Sequence, residues 1–161
     1  MKCYFLRHGI AAERGEWEGS DFDRPLTDEG HARMAREAKA IAKFDLGIEL
    51  ILTSPLVRAK ETAEIVAKAL KLQERLVVDE RLGLAFDRIR LEGMLREHRG
   101  AKALLLVGHE PGMSRTIGEL VGGAAIDLKK GGLARVDLPD GGESRGALLW
   151  LVPPKILVAA S

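Results

Sequence analysis

The sequence predicts an α/β fold: a three-layer α/β/α sandwich with a mostly parallel central sheet and a C-terminal hairpin. Three observations predict it. Short apolar runs alternate with segments of helical period, the pattern of parallel strands joined by crossover helices. The run Ala103 to Val107 is wholly apolar, as suits a strand covered on both faces. Leu133 to Leu138 and Ala147 to Val152 flank a glycine-containing turn, Pro139 to Gly146, which is a hairpin signal. The 161 residues are read as one domain, 1–161, because a chain of this size usually forms one and no repeat or linker divides it.

The first strand is read as Lys2 to Arg7. A polar segment follows, from Ile10 to about Asp23, and carries Trp17 and Phe22; whether residues 10–22 close over a site is left open. Pro25-Leu26-Thr27-Asp28-Glu29 starts a helix, with Thr27 as cap and two carboxylates in the first turn. Ala35, Ala38, Ile41 and Ala42 carry it to about Phe44. Ile48 to Thr53 is the second strand, and Ser54-Pro55 is expected to open a helix with Ala59, Ala63, Val66 and Leu70 as its stripe. Leu76 to Val78 reads as a short strand and Arg88 to about His98 as a helix. After Ala103 to Val107, Pro111 and Gly112 open a helix that turns Met113, Ile117, Leu120 and Val121 inward. Pro153-Pro154 stops the last strand.

Composition narrows the function classes. The apolar fraction of 46% and charged fraction of 30% are those of an ordinary globular chain. A net charge of +1 lacks the basic excess typical of a nucleic-acid binder, so no nucleic-acid partner is expected. The single cysteine, Cys3, excludes an intrachain disulfide and a cysteine-based zinc cluster. Four scattered histidines without ligand spacing predict no metal, and no glycine-rich nucleotide loop is present, so no cofactor is expected. No stretch is long and apolar enough for a membrane span and no signal segment is evident; the expected location is cytoplasmic.

Three apolar runs end in residues suited to phosphate chemistry: Arg7-His8-Gly9, Ser54-Pro55-Leu56-Val57-Arg58, and Gly108-His109-Glu110-Pro111-Gly112. As neighbouring parallel strands they would bring two arginines and two histidines to the strand carboxyl ends, where open α/β sheets bind ligands. A neutral imidazole at His8 is a competent nucleophile, and Gly9 would let a ligand approach the backbone. Guanidinium forks at Arg7 and Arg58 match phosphoryl oxygens; the plain alternative for Arg58 is a surface pair with Glu61. His109, ahead of a helix N-terminus, could donate to a phosphoryl oxygen or merely cap a loop carbonyl.

With Leu6-Arg7-His8-Gly9, Thr53-Ser54-Pro55 plus Arg58-Ala59 and Thr62-Ala63, and Val107-Gly108-His109-Glu110-Pro111, the chain resembles the histidine phosphatase superfamily, the phosphoglycerate-mutase-like proteins. The resemblance implies that His8 is the phosphorylated nucleophile and that Arg7, Arg58 and His109 form the phosphate pocket. The short length, Asp23-Arg24-Pro25-Leu26-Thr27 and the Trp150-Leu151-Val152-Pro153-Pro154 ending look most like the SixA-type phosphohistidine phosphatases. Arg24 would then be a secondary phosphate contact, or else a partner of Asp21 or Asp23. Many members place an acid after the short middle strand; Glu80 is the candidate general acid here, with a solvated carboxylate as its plain reading.

The resulting expectation is a metal-independent phosphatase working through a phosphohistidine intermediate. Its expected partner is a phosphohistidine-bearing protein in signalling. One alternative is a small-molecule phosphomonoesterase of the same superfamily. The other is a non-catalytic phosphate-recognition module. Oligomeric state and pathway are not legible in the residues.

Overall fold

The computed structural model describes residues 1–139 and 145–161. Strands β1 (Lys2–Arg7), β2 (Leu50–Thr53), β3 (Leu76–Val78), β4 (Ala103–Gly108), β5 (Leu133–Asp137) and β6 (Ala147–Val152) form one sheet in the order β3-β2-β4-β1-β5-β6. The first four strands of that order are mutually parallel, and β5 and β6 add antiparallel neighbours. The expected fold class is therefore the observed one. The hairpin pairs as read, while residues 140–144 of its turn lie outside the described residues.

Strand alternation divides the core between two helical layers. Cys3 and Phe5 of β1 and Leu104 and Leu106 of β4 face one side. There they meet α3 (Arg88–Glu97) and α4 (Gly112–Leu120) through Leu91, Met94, Met113 and Ile117. Tyr4, Leu6, Leu105 and Val107 face the other side, against α1 (Asp28–Lys43) and α2 (Val57–Leu70). A period of two in the strands thus sets three layers.

Local signals explain most boundaries. The Thr27 hydroxyl accepts from the Gly30 amide at 2.9 Å, and Asp28 and Glu29 occupy the first turn of α1. Gly30 is required: a Cβ there would collide with the Ile10 carbonyl, so the start of α1 packs directly on the chain leaving β1.

Two expectations change. The helix read from Ser54-Pro55 begins only at Val57, with Leu56 as its cap residue, because the Ser54 hydroxyl instead closes a tight turn by accepting from the Leu56 amide at 3.2 Å. Arg58 is accordingly the second residue of the helix rather than a turn into it. Pro153-Pro154 does end β6, but it also opens α5 (Pro154–Ala159), which buries Leu157 in the layer of α1 and α2. Proline suits a first helical position, so stop and start share the same residues.

Candidate active site

The register of the sheet decides the site. Leu6 of β1 lies level with Val107 of β4, and Thr53 of β2 lies level with the same Val107. Continuing past the ends, the Ser54 amide donates to the Val107 carbonyl and the His8 amide to the Gly108 carbonyl, at 3.0 and 3.1 Å. His8 and His109 therefore emerge at one level on adjacent strands, with ring centroids 5.2 Å apart.

His8 is 6% exposed, and its Nδ1 lies 2.8 Å from the Gly9 carbonyl oxygen. A carbonyl can only accept, so Nδ1 carries the hydrogen and Nε2 keeps its lone pair. Burial pushes the pKa down to about 2, helped by the nearby His109 and by the charges of Arg58 and Arg7. The ring is neutral at physiological pH, which is the nucleophilic form.

Arg58 is 2% exposed and reaches Asp21, not Glu61: Nη1 donates to the Asp21 carbonyl at 2.7 Å and Nη2 to its carboxylate at 3.2 Å. Glu61 accepts from the Leu26 amide instead. Arg7 donates from Nη1 to the Leu128 carbonyl at 3.0 Å. The Nε atoms of both arginines are buried without a partner among the described residues. Buried donors of this kind are strong sites for an anion, which guanidinium groups bind by charge-assisted hydrogen bonds.

His109 is 3% exposed, with Nε2 2.7 Å from the Ser54 hydroxyl and Nδ1 buried without a partner. Burial and then Arg58 bring its pKa down to about 3, with Asp21 opposing. Ser54 belongs to the Thr53-Ser54-Pro55 motif and its only assigned role in the sequence is a helix start; its contact with His109 spans 55 residues. Ser54→Ala is expected to lower kcat/KM on a phosphate ester about 10-fold and to cost about 1–2 kcal/mol in urea unfolding, since it leaves a buried imidazole nitrogen unpaired. An unchanged kcat/KM would remove Ser54 as the support of His109.

Arg24 and Asp21 form the rim. Arg24 donates from Nε to the Asp21 carboxylate at 3.0 Å and from Nη1 to the Ala12 carbonyl at 2.7 Å. The pairing with Asp21 was one of the two readings of Arg24. Its charge also contributes to lowering the His109 pKa. The Gly9 amide donates to the Thr62 hydroxyl at 3.0 Å, and a Cβ there would meet Leu26 and Met34 at 3.3 and 3.5 Å. The glycine thus lets the chain leaving β1 pack closely on Leu26 and on Met34 of α1. Thr62 in turn donates to the Arg58 carbonyl at 2.7 Å, tying α2 to the loop after β1. Glu80 sits exposed in the 3-10 turn Glu80–Leu82 beyond β3, outside the buried cluster.

The buried imidazoles link the site to stability. Below pH ~6.5 the unfolded chain takes up two protons, at His8 and His109, that the native state excludes. Their contribution is present above that pH and is lost as pH falls toward their folded values. Glu37 on α1 works the other way, since burial raises its carboxyl to about 7 and the native state binds that proton first. Between pH 6.5 and 4.5 the net loss is one proton's worth, roughly 1.4 kcal/mol per pH unit. Urea unfolding across this window checks it. His8→Asn should flatten the slope, and an unchanged slope would contradict the assignment.

Residues 3–83 match the histidine phosphatase superfamily (branch 1). The chain belongs to that superfamily. An uncharacterised protein of Picosynechococcus sp. is 37% identical over 138 residues, covering 83% of this chain and 82% of that one. Phosphohistidine phosphatase SixA of Escherichia coli is 28% identical over 157 residues, covering 96% and 94%. A solved structure of the protein histidine phosphatase SixA complexed with tungstate superimposes with a TM-score of 0.87 at 28% identity, covering 98% and 99%. The histidine phosphatase described here is of the SixA type, a hydrolase of the class that uses a histidine nucleophile. Among its described residues no helix is long and apolar enough to cross a membrane, and no group of three or more His, Cys, Asp or Glu is placed to hold a metal ion.

Proposed function

We propose that this phosphatase removes the phosphoryl group from phosphohistidine on a protein partner, with His8 as nucleophile. The observation that carries the reading is the Nδ1–H of His8 donated to the Gly9 carbonyl, which fixes the tautomer and frees Nε2 beside the buried Arg58 and the half-buried Arg7. Arg7, Arg58 and His109 hold the phosphoryl oxygens, and Arg24 supports them through Asp21. Nε2 attacks phosphorus in line, the P–N bond to the substrate imidazole breaks, and that imidazole leaves with a proton. Water then attacks the phosphorylated His8, which releases inorganic phosphate and restores the free ring. A phosphoramidate nitrogen is basic enough to be protonated before cleavage, so the exposed Glu80 is less needed than it would be for an alkyl ester.

The protein substrate is supported by the likeness to SixA along almost the whole chain. The test is metal-free turnover on a phosphohistidine protein beside a simple phosphate ester, with quenched samples assayed for phosphorylated His8. Preference for phosphohistidine with labelled His8 is the expected result. Labelled His8 with preference for the ester would move the substrate to small molecules. Phosphate binding without turnover or label would leave a recognition module.

A further inference from the structure

Glu37 is an acidic side chain in the wrong place for a surface helix. It lies on α1 with 1% exposure, its Oε1 accepting from Arg33 Nε at 3.1 Å while Oε2 is buried without a partner. Burying a carboxyl with half its acceptors idle is costly, and an apolar side chain of equal size would pack there at lower cost. What the carboxyl touches is Gly131. A Cβ on Gly131 would overlap Oε2 and stand 2.9 Å from Oε1, so the carboxyl fills the space a side chain would take. Gly131 also has φ +78, a left-handed conformation that suits glycine.

Gly131 belongs to the turn Lys129–Gly132, closed by the Gly132 amide donating to the Lys129 carbonyl at 2.7 Å. That turn holds the two leading residues of the site. The Gly131 amide donates to the carbonyls of Arg7 and His8, at 3.0 and 3.2 Å, and the Arg7 amide donates to the Gly132 carbonyl at 3.2 Å. One residue earlier, the Leu128 carbonyl accepts from the Arg7 guanidinium. A single segment thus fixes the backbone of His8 and both the backbone and side chain of Arg7, and Glu37 is the group wedged behind it.

We infer that Glu37 is a positioning residue for phosphoryl transfer, setting the Lys129–Gly132 turn from α1 so that Arg7 and His8 are held in line with the phosphorus. It touches no substrate; its effect passes through Gly131. In-line attack depends steeply on alignment, and a displacement near 1 Å costs on the order of 100-fold. The inference rests on the reading of His8 as nucleophile.

The test is rapid-quench measurement of His8 phosphorylation in wild type, Glu37→Ala and Glu37→Gln, with kcat and KM for the same phosphate ester. Ile41→Val, which shortens a fully buried residue of the same helix away from the turn, serves as the packing control. Glu37→Ala should slow the phosphorylation step 10-fold or more with KM within about 3-fold. Glu37→Gln, which keeps the shape, should recover most of the rate, and Ile41→Val should leave it unchanged. A folded Glu37→Ala that phosphorylates at the wild-type rate would overturn the inference, as would an equal loss in Ile41→Val. If Glu37→Ala does not fold, Glu37→Asp withdraws the carboxyl by one methylene and carries the same expectation. Absence of phosphoenzyme in the wild type would instead defeat the nucleophile reading, which separates the two failures.

Discussion

His8→Ala is expected to abolish turnover and phosphoenzyme formation while the protein remains folded. The expected loss is roughly 10⁴-fold or more, because it removes the group proposed to carry the covalent intermediate. His109 stands 5.2 Å away, centroid to centroid, with its Nε2 engaged by Ser54. The fold should tolerate the change. His8 lies past the end of β1, and its side-chain hydrogen bond, to Gly9, is worth about 1 kcal/mol. Kinetics on a phosphate ester, acid-quenched labelling and urea unfolding on one preparation check all three parts. A folded His8→Ala that still turns over would remove the mechanism.

Arg58→Ala has the second largest expected effect, a loss on the order of 10³-fold in kcat/KM. Charge on the transferring phosphoryl group spreads over its oxygens, and removing a guanidinium that matches it costs about that much. Truncation also strips two hydrogen bonds from Asp21 and empties a buried volume, so stability has to be measured beside activity. Arg58→Lys separates charge from geometry: it keeps the cation and loses the fork, and should recover part of the binding and little of the rate. Full activity in Arg58→Lys would mean that Arg58 acts only as a point charge.

The convergence of His8, His109 and Arg58 was legible because His8 and His109 follow closely on apolar runs and Arg58 stands five residues past the end of a third. Parallel strands align such ends without any knowledge of the loops. The partners of these residues were less legible. Asp21 meets Arg58 across 37 residues of chain, and no local signal separates it from Asp23. Ser54 satisfied a local capping rule so well that its long-range contact with His109 had no separate trace. Glu37 sits among Arg33, Arg36 and Lys39, a context that reads as solvent-facing; only the fold presses it onto a glycine from another element. Thr62 stands in the Arg58-Ala59 and Thr62-Ala63 motif, and its bond to the Arg58 carbonyl follows from a spacing of four on one helix face. The fold class came from periodicity, which averages over many residues. The loop contacts depend on single side chains.

Asp21 has a consequence for electroneutrality. His8 and His109 are held neutral, so the fixed charge around the site is that of Arg7, Arg14, Arg24 and Arg58 against the carboxylates of Asp21, Glu110 and Asp127. Four cations against three anions leave one positive charge over. A phosphoryl group brings roughly −1.5 to −2 at neutral pH. An anion is thus drawn in by the imbalance and reverses it once seated, which favours the departure of inorganic phosphate after the last step.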